Sequence, residues 1–134
     1  MSRPTKDEYY LNIAEAVMQR STCLRRKYGA VIIKDDEIIS TGYNGTPRGE
    51  ANCNEIGHCW REENNIPHGE RYEACRSVHA EMNAIISASR RNMIGSTLYL
   101  ASDKPDAKPC DICRRLIQNA GISRVVTKEM VNHS

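Results

Sequence analysis

Apolar residues recur at helical spacing at Tyr10, Ile13, Ala14 and Val17, which predicts a helix from about Lys6 to Gln19 with one face turned inward. Pro4 and Thr5 stand just ahead of it as start signals. The period then changes. Gly29 to Ile33 and Glu37 to Tyr43 are short runs rich in β-forming residues, separated by the polar Lys34-Asp35-Asp36, and they predict an antiparallel hairpin. From Asn44 to about Arg76 the pattern fades, interrupted by Gly45, Pro47, Gly49, Gly57, Pro67 and Gly69. A loop this long is uncommon in a compact domain unless something else orders it. Cys53, Cys59, Cys75, His58 and His68 lie within it, which makes a metal the candidate. From Val78 to Arg90 a helical pattern returns, with Ala80, Asn83, Ala84 and Ser87 small enough to lie close against a sheet. Thr97 to Ala101 reads as a strand, residues 102–109 as a polar loop, Cys110 to Ala120 as a helix stopped by Gly121, and Ile122 to Thr127 as a last strand. The order αββαβαβ ends in a strand-helix-strand unit that should form a right-handed parallel crossover. The expected class is therefore α/β, a mixed β-sheet flanked by helices.

Composition narrows what such a fold can do. The chain has 134 residues, 40% apolar, 27% charged and 5% aromatic, enough to bury one core without staples and too few for two. No repeat, low-complexity tract or linker interrupts it, so a single domain over residues 1–134 is expected. No run approaches the roughly 18 apolar residues of a membrane helix. The N-terminal MSRPTKDEYY is polar and lacks the apolar stretch of an export signal; a cytoplasmic protein with no membrane partner is expected. A formal charge of +2 argues against binding nucleic acid by bulk electrostatics, and no nucleic-acid partner is expected. Six cysteines without an export signal point to metal ligation or thiol chemistry rather than a disulfide framework. Cys23 stands alone, Cys53, Cys59 and Cys75 share the irregular stretch, and Cys110 and Cys113 form a CxxC, a distribution that suggests two sites.

The chemistry concentrates in His79-Ala80-Glu81 and Pro109-Cys110-Asp111-Ile112-Cys113, each at the start of a predicted helix. Together they supply an imidazole, two thiols and a carboxylate. Zinc takes Cys and His tetrahedrally, and catalytic sites leave the fourth position to water. The positive end of a helix favours the thiolate form, and two thiolates with a neutral imidazole cancel the metal's double charge. Glu81, two residues past the imidazole, is placed to carry the proton. Taken singly, each piece has a plainer reading: a CxxC can be a structural zinc knuckle or a redox pair, a histidine at a helix start can be a cap, and a first-turn Glu can simply complement the helix dipole. The joint pattern, H-x-E followed by P-C-x-x-C, is the signature of the zinc nucleobase deaminases.

Beyond that signature, RSTCLRRKYGAVI, the hairpin ending in STGYNGTPRG, ACRSVHAEMNAI and PCDICRRLIQNAGISRVV resemble the deoxycytidylate deaminases of bacterial and phage type, over most of the chain. Enzymes acting on free cytidine usually carry Cys at the position of His79, and the tRNA adenosine deaminases lack the GYNG loop combined with this Cys-rich insert. The resemblance implies the three-layer cytidine deaminase-like fold. It implies a catalytic zinc on His79, Cys110 and Cys113, with Glu81 shuttling protons in the hydrolysis of dCMP to dUMP and ammonia, which feeds thymidylate synthesis. Gly42-Tyr43-Asn44-Gly45 resembles the substrate loop, its glycines allowing close approach and the Asn44 amide offering donor and acceptor to the sugar hydroxyl; an ordinary N-G turn is the other reading. Arg25, Arg26 and Lys27 are candidates for the 5′-phosphate, or a solvated basic patch. Arg90, at the end of the H-A-E helix, resembles a residue near a subunit interface that communicates with a regulatory nucleotide site; the family also implies a homo-oligomer, a hexamer, and regulation by dCTP or dTTP.

A second, structural zinc is expected on Cys23, Cys53, Cys75 and His58, with Cys59 the alternative to His58. The insert has too little apolar surface to offset the entropy of ordering it, and a closed four-ligand site could supply that free energy. Free thiols buried as small hydrophobes are the plainer account. Two departures from the family stand out: LASDKPDAK between Tyr99 and Pro109 is longer than usual, and the chain is short at its C-terminus, stopping at Ser134. Competing functions are a deaminase of guanine or of adenosine in RNA, a zinc-organised interaction module without activity, and a CxxC redox protein. Glu81 counts against the inactive module, because structure alone would not require it.

Overall fold

The computed structural model describes residues 3–22, 26–45, 79–104 and 107–132. In chain order the elements are α1 (Lys6–Met18), β1 (Tyr28–Lys34), β2 (Glu37–Tyr43), α2 (Ala80–Ile86), α3 (Arg90–Met93), β3 (Thr97–Ser102), α4 (Asp111–Ala120), β4 (Arg124–Thr127) and α5 (Lys128–Asn132). The strands form one sheet in the order β2-β1-β3-β4. β1 runs antiparallel to both β2 and β3, while β3 and β4 are parallel, the mixed sheet expected from the sequence.

The central position of β1 explains its sequence. Ala30 and Ile32 face one core, with Ala80, Ala84, Leu98, Leu100 and Ile117. Val31 and Ile33 face the other, with Tyr10, Leu11, Ala14, Tyr99 and Val126. A strand covered on both faces needs no polar alternation, and Gly-Ala-Val-Ile-Ile has none. α2 and α4 therefore form one outer layer and α1 the opposite one.

α1 begins with a capping box: the Thr5 hydroxyl accepts from the Glu8 backbone N–H at 3.2 Å, and the Glu8 carboxylate accepts from the Thr5 N–H at 3.1 Å. Each bond satisfies a donor that the first turn leaves without a helical partner. The hairpin turns on Asp35 (φ 52°) and Asp36 (φ 63°), both in the left-handed region that a type I′ turn requires and that Asp tolerates better than most residues. Asp36 is in turn held by Lys6 Nζ at 2.7 Å and by the Tyr10 hydroxyl, which ties the hairpin tip to α1.

Three details depart from the sequence expectation. The helix read as 78–90 ends at Ile86; Ser89 then caps a new turn, its hydroxyl accepting from Asn92 N–H at 3.4 Å. Serines compete for backbone hydrogen bonds and so mark helix ends. Arg90 consequently starts α3 rather than ending the H-A-E helix, and its Nε donates to the Asn119 carbonyl at 3.4 Å. Lastly, β4 begins only at Arg124 and is followed at once by α5, a further helix absent from the expected order. Among the described residues no helix is long and apolar enough to cross a membrane.

Candidate metal centre

Two helix starts on the same face of the sheet bring the motif residues together. β3 leads through a loop to Cys110, the N-cap of α4, whose sulfur accepts from the Cys113 backbone N–H at 3.4 Å. His79 is the N-cap residue of α2, yet its side chain makes no capping bond. The ring is turned to the thiols instead, with Nδ1 3.3 Å from Cys113 Sγ and 3.6 Å from Cys110 Sγ. The ligand atoms of all three residues lie within 4.8 Å of one another.

Zinc bonds nitrogen at about 2.0 Å and sulfur at about 2.3 Å, and in tetrahedral geometry that sets N and S about 3.5 Å apart. The observed 3.3 and 3.6 Å bracket that value. Electrostatics points the same way. Burial, followed by the Glu81 charge and then Cys110, pushes the Cys113 thiol far above the usual thiol range. Burial likewise raises the Glu81 carboxyl, against smaller opposing contributions from its own backbone N–H and the Cys113 thiol. Anionic groups crowded in a buried space hold each other's protons on, and a dication relieves all of them at once. The donor set therefore fits zinc. A redox pair would not require the imidazole between the sulfurs.

Glu81 is only 4% exposed, in the first turn of α2, and its placement follows from how closely that helix sits on β2. A bulge sets Ile32 opposite Ser40 and Ile33 opposite Ile38, so that Ser40 and Gly42 both turn towards α2. The Ser40 hydroxyl donates to the Ala84 carbonyl at 2.7 Å, and Asn83 Nδ2 donates to the Tyr43 carbonyl at 2.8 Å. A Cβ on Gly42 would lie 2.4 Å from both Ala80 O and Ala84 N. Gly42 thus makes room for the helix that carries Glu81, where the sequence alone gave its freedom to the substrate. Ser40 was not singled out in the sequence, and Asn83 only as a residue small enough to lie against the sheet rather than as a hydrogen-bond donor to it; the small residues alternating at Ser40 and Gly42 in β2 were the available signal.

Asn44 is buried, and its amide is largely committed. Oδ1 accepts from the Ser21 hydroxyl at 2.6 Å and from the Tyr28 backbone N–H at 2.8 Å, while Nδ2 donates to the Arg26 carbonyl at 2.9 Å. The acceptor offered to a sugar hydroxyl in the sequence reading is therefore used within the protein, and one N–H is left. Of the basic cluster, Arg26 Nη1 donates to the Tyr28 hydroxyl at 3.0 Å, and the Lys27 backbone N–H donates to Asp103 at 3.2 Å. Asp103 belongs to the longer LASDKPDAK connection, which is thereby tied to the start of β1. Arg25, Cys23, Cys53, His58, Cys59 and Cys75 lie outside the described residues.

Comparison with known proteins adds to the geometry. A family model for the cytidine and deoxycytidylate deaminase zinc-binding region matches residues 4–129. The deoxycytidylate deaminase of Mycobacterium phage D29 is 44% identical over 130 residues, covering 94% of this chain and 96% of that protein. The deoxycytidylate deaminase of Schizosaccharomyces pombe is 36% identical over 132 residues, covering 98% of this chain and 38% of the yeast protein. Among solved structures, the dCMP deaminase from the cyanophage S-TIM5 in complex with dCMP and dUMP superposes with a TM-score of 0.66 at 28% identity, covering 95% of this chain and 83% of that one.

Proposed function

The chain belongs to the cytidine and deoxycytidylate deaminase zinc-binding family, and on that premise we propose that it hydrolyses dCMP to dUMP and ammonia. The observation that carries the reading is Glu81, buried at 4% exposure beside three convergent zinc ligands. His79, Cys110 and Cys113 hold the zinc, which when bound supplies the Lewis acidity that makes water a nucleophile at neutral pH. Glu81 takes the proton that the water gives up and delivers it to N3 of the base as the oxygen bonds to C4. It then moves the second proton to the exocyclic amine, so that the C–N bond breaks and ammonia leaves. Burial, by raising the carboxyl, matches Glu81 to both halves of this task. The remaining Asn44 N–H takes the sugar, and Arg26 and Lys27 take the 5′-phosphate.

An ammonia-release assay across dCMP, dCTP, deoxycytidine, guanine and adenosine tests the assignment. Preference for dCMP is expected, and equal kcat/KM for dCMP and deoxycytidine would mean that the phosphate is not read. The same assay with added dCTP and dTTP tests their regulatory role. The enzyme works in the cytoplasm as a homo-oligomer, a hexamer; the exposed Ile112 and Leu116 on α4 and Ile86 on α2 support association, and light scattering measures it. A second zinc on Cys23, Cys53, Cys75 and His58 is supported by the sequence pattern alone. More than one zinc per chain is expected, with Cys53→Ser losing one and keeping the other; a single zinc unchanged by that substitution would remove the site.

A further inference from the structure

α2 has seven residues, Ala80–Ile86, two turns of helix, and a helix that short has little stability of its own. Its place on the sheet is therefore set by what it touches. The Gly42 contact is steric: it lets the helix approach and limits how close it comes, without drawing it in. Two hydrogen bonds draw it in, and they differ in kind. The bond from Asn83 Nδ2 to the Tyr43 carbonyl is exposed, where water competes for both partners. The bond from the Ser40 hydroxyl to the Ala84 carbonyl, at 2.7 Å, is buried.

That carbonyl is one the helix does not satisfy itself. In a continuing helix the Ala88 N–H would reach it, but this N–H turns to the Ile85 carbonyl at 3.2 Å, while the Ser87 N–H bonds the Asn83 carbonyl at 3.1 Å. Ala84 is fully buried, so solvent does not compensate for a lost donor. A buried hydroxyl on Ser40, on the strand face that packs against Ala80 and Ala84, would be as costly without an acceptor, and the two groups answer each other. Ala84 lies one turn from Glu81, and both are on the buried side of α2. The point at which Ser40 holds the helix is thus next to the turn that carries the carboxyl and, at its cap, His79.

We propose that Ser40 is a positioning residue for the reaction: by capping the Ala84 carbonyl from the neighbouring strand, its hydroxyl sets the depth and tilt at which α2 presents Glu81 and His79 to the metal and the base. This rests on the reading of the protein as a dCMP deaminase. Ser40 acts through α2, with its hydroxyl committed to the Ala84 carbonyl.

The test compares wild type, Ser40→Ala and Ser40→Cys with Thr5→Ala, which loses the capping bond of α1 on the other face of the sheet and so lowers Tm without touching α2. Ser40→Ala is expected to lower kcat on dCMP about ten- to hundredfold with KM little changed, the pattern of an interaction felt in the transition state. Ser40→Cys, which keeps a weak donor of similar size, should fall between, and Thr5→Ala should keep its kcat. A tetrahedral mimic of the reacting base, tetrahydrodeoxyuridine 5′-monophosphate, should lose affinity by the same factor as kcat/KM, while dUMP binds as to wild type. Cobalt(II) in place of zinc reports the ligand geometry without turnover, and its visible bands should shift in Ser40→Ala and not in Thr5→Ala. Wild-type kcat in Ser40→Ala, a loss of kcat shared by Thr5→Ala, a loss carried by KM alone, or cobalt bands that match wild type would overturn the proposal. If Ser40→Ala does not fold, Ser40→Cys is judged by the same outcomes. A wild type inactive on dCMP with the cobalt shift present in Ser40→Ala would remove the reaction and keep the positioning. Activity on dCMP with neither the shift nor the loss of kcat would do the reverse.

Discussion

Replacing Gly42 by Ala adds one methyl group at the contact that seats the catalytic helix. The new Cβ would lie 2.4 Å from Ala80 O and Ala84 N and 3.0 Å from Ala84 Cα. All three are backbone atoms, so no side chain can swing aside. Restoring ordinary contact near 3.4 Å moves α2 by about 1 Å, and the movement strains the Ser40 to Ala84 and Asn83 to Tyr43 bonds that strap it to β2. Overpacking of this kind costs about 1–3 kcal/mol. The larger effect is on rate: Glu81 and His79 ride on the helix, and a displacement of about 1 Å costs on the order of a hundredfold in a positioned reaction. We expect Gly42→Ala to fold with a lowered Tm, to bind zinc less tightly, and to lose about a hundredfold in kcat on dCMP. Gly95→Ala serves as the control. Gly95 has φ +81° and nothing within 4 Å of an added Cβ, so that variant pays a backbone penalty of about 1 kcal/mol without touching the site and should keep its kcat. A Gly42→Ala enzyme with wild-type kcat and full zinc would refute the claim that this contact seats the helix.

Glu81→Gln keeps the shape and removes the proton carrier, so kcat should fall by about 10²–10⁴-fold with zinc retained; normal turnover would sink the mechanism. His79→Ala removes a ligand and should lower both zinc content and Tm, since metal binding free energy is folding free energy; metal analysis and a thermal melt check it. On the other face of the sheet, Arg124 Nη2 and the Tyr99 hydroxyl reach Asp7 at 2.6 and 2.7 Å and, Arg124 first, hold its carboxyl below the ordinary value of 3.8. A carboxyl depressed on folding contributes stability that is fully present above about pH 4 and is lost as pH falls through the folded value. Asp7→Asn should therefore cost about 1–2 kcal/mol at pH 7, and its Tm should converge with that of wild type in acid; a Tm difference that does not change with pH would contradict the assignment.

The parts of the site that were legible in the sequence are those whose geometry is local. Cys110 and Cys113 are one helical turn apart, and a helix start brings both sulfurs to one point whatever surrounds them. Pro4 and Thr5 mark the start of α1 and the β-rich run Gly29 to Ile33 marks a strand for the same local reason, whereas the Thr5–Glu8 capping box and the covering of β1 on both faces came from the structure. Ser87 still fits a helical period, so the break between α2 and α3, and with it the place of Arg90, was invisible to periodicity; what decides it is the Ser89 hydroxyl, which accepts from the Asn92 N–H and caps a new turn.

From its sequence alone, this protein's sheet-forming segments, its family and the residue types of its candidate zinc site can be read, because each depends on residue chemistry and on short motifs, H-A-E and P-C-x-x-C; that the two motifs meet across 31 to 34 positions is decided by the fold. Tertiary structure alone decided the rest. It showed that Gly42 yields its space to α2, that Ser40 and Asn83 fasten that helix, and that Ser21, Tyr28 and Arg26 consume all but one hydrogen-bonding position of Asn44. Those contacts join residues 16 to 44 positions apart in the chain. A polar group's spare donor or acceptor is whatever its neighbours leave, and neighbours at that separation are fixed only when the sheet closes.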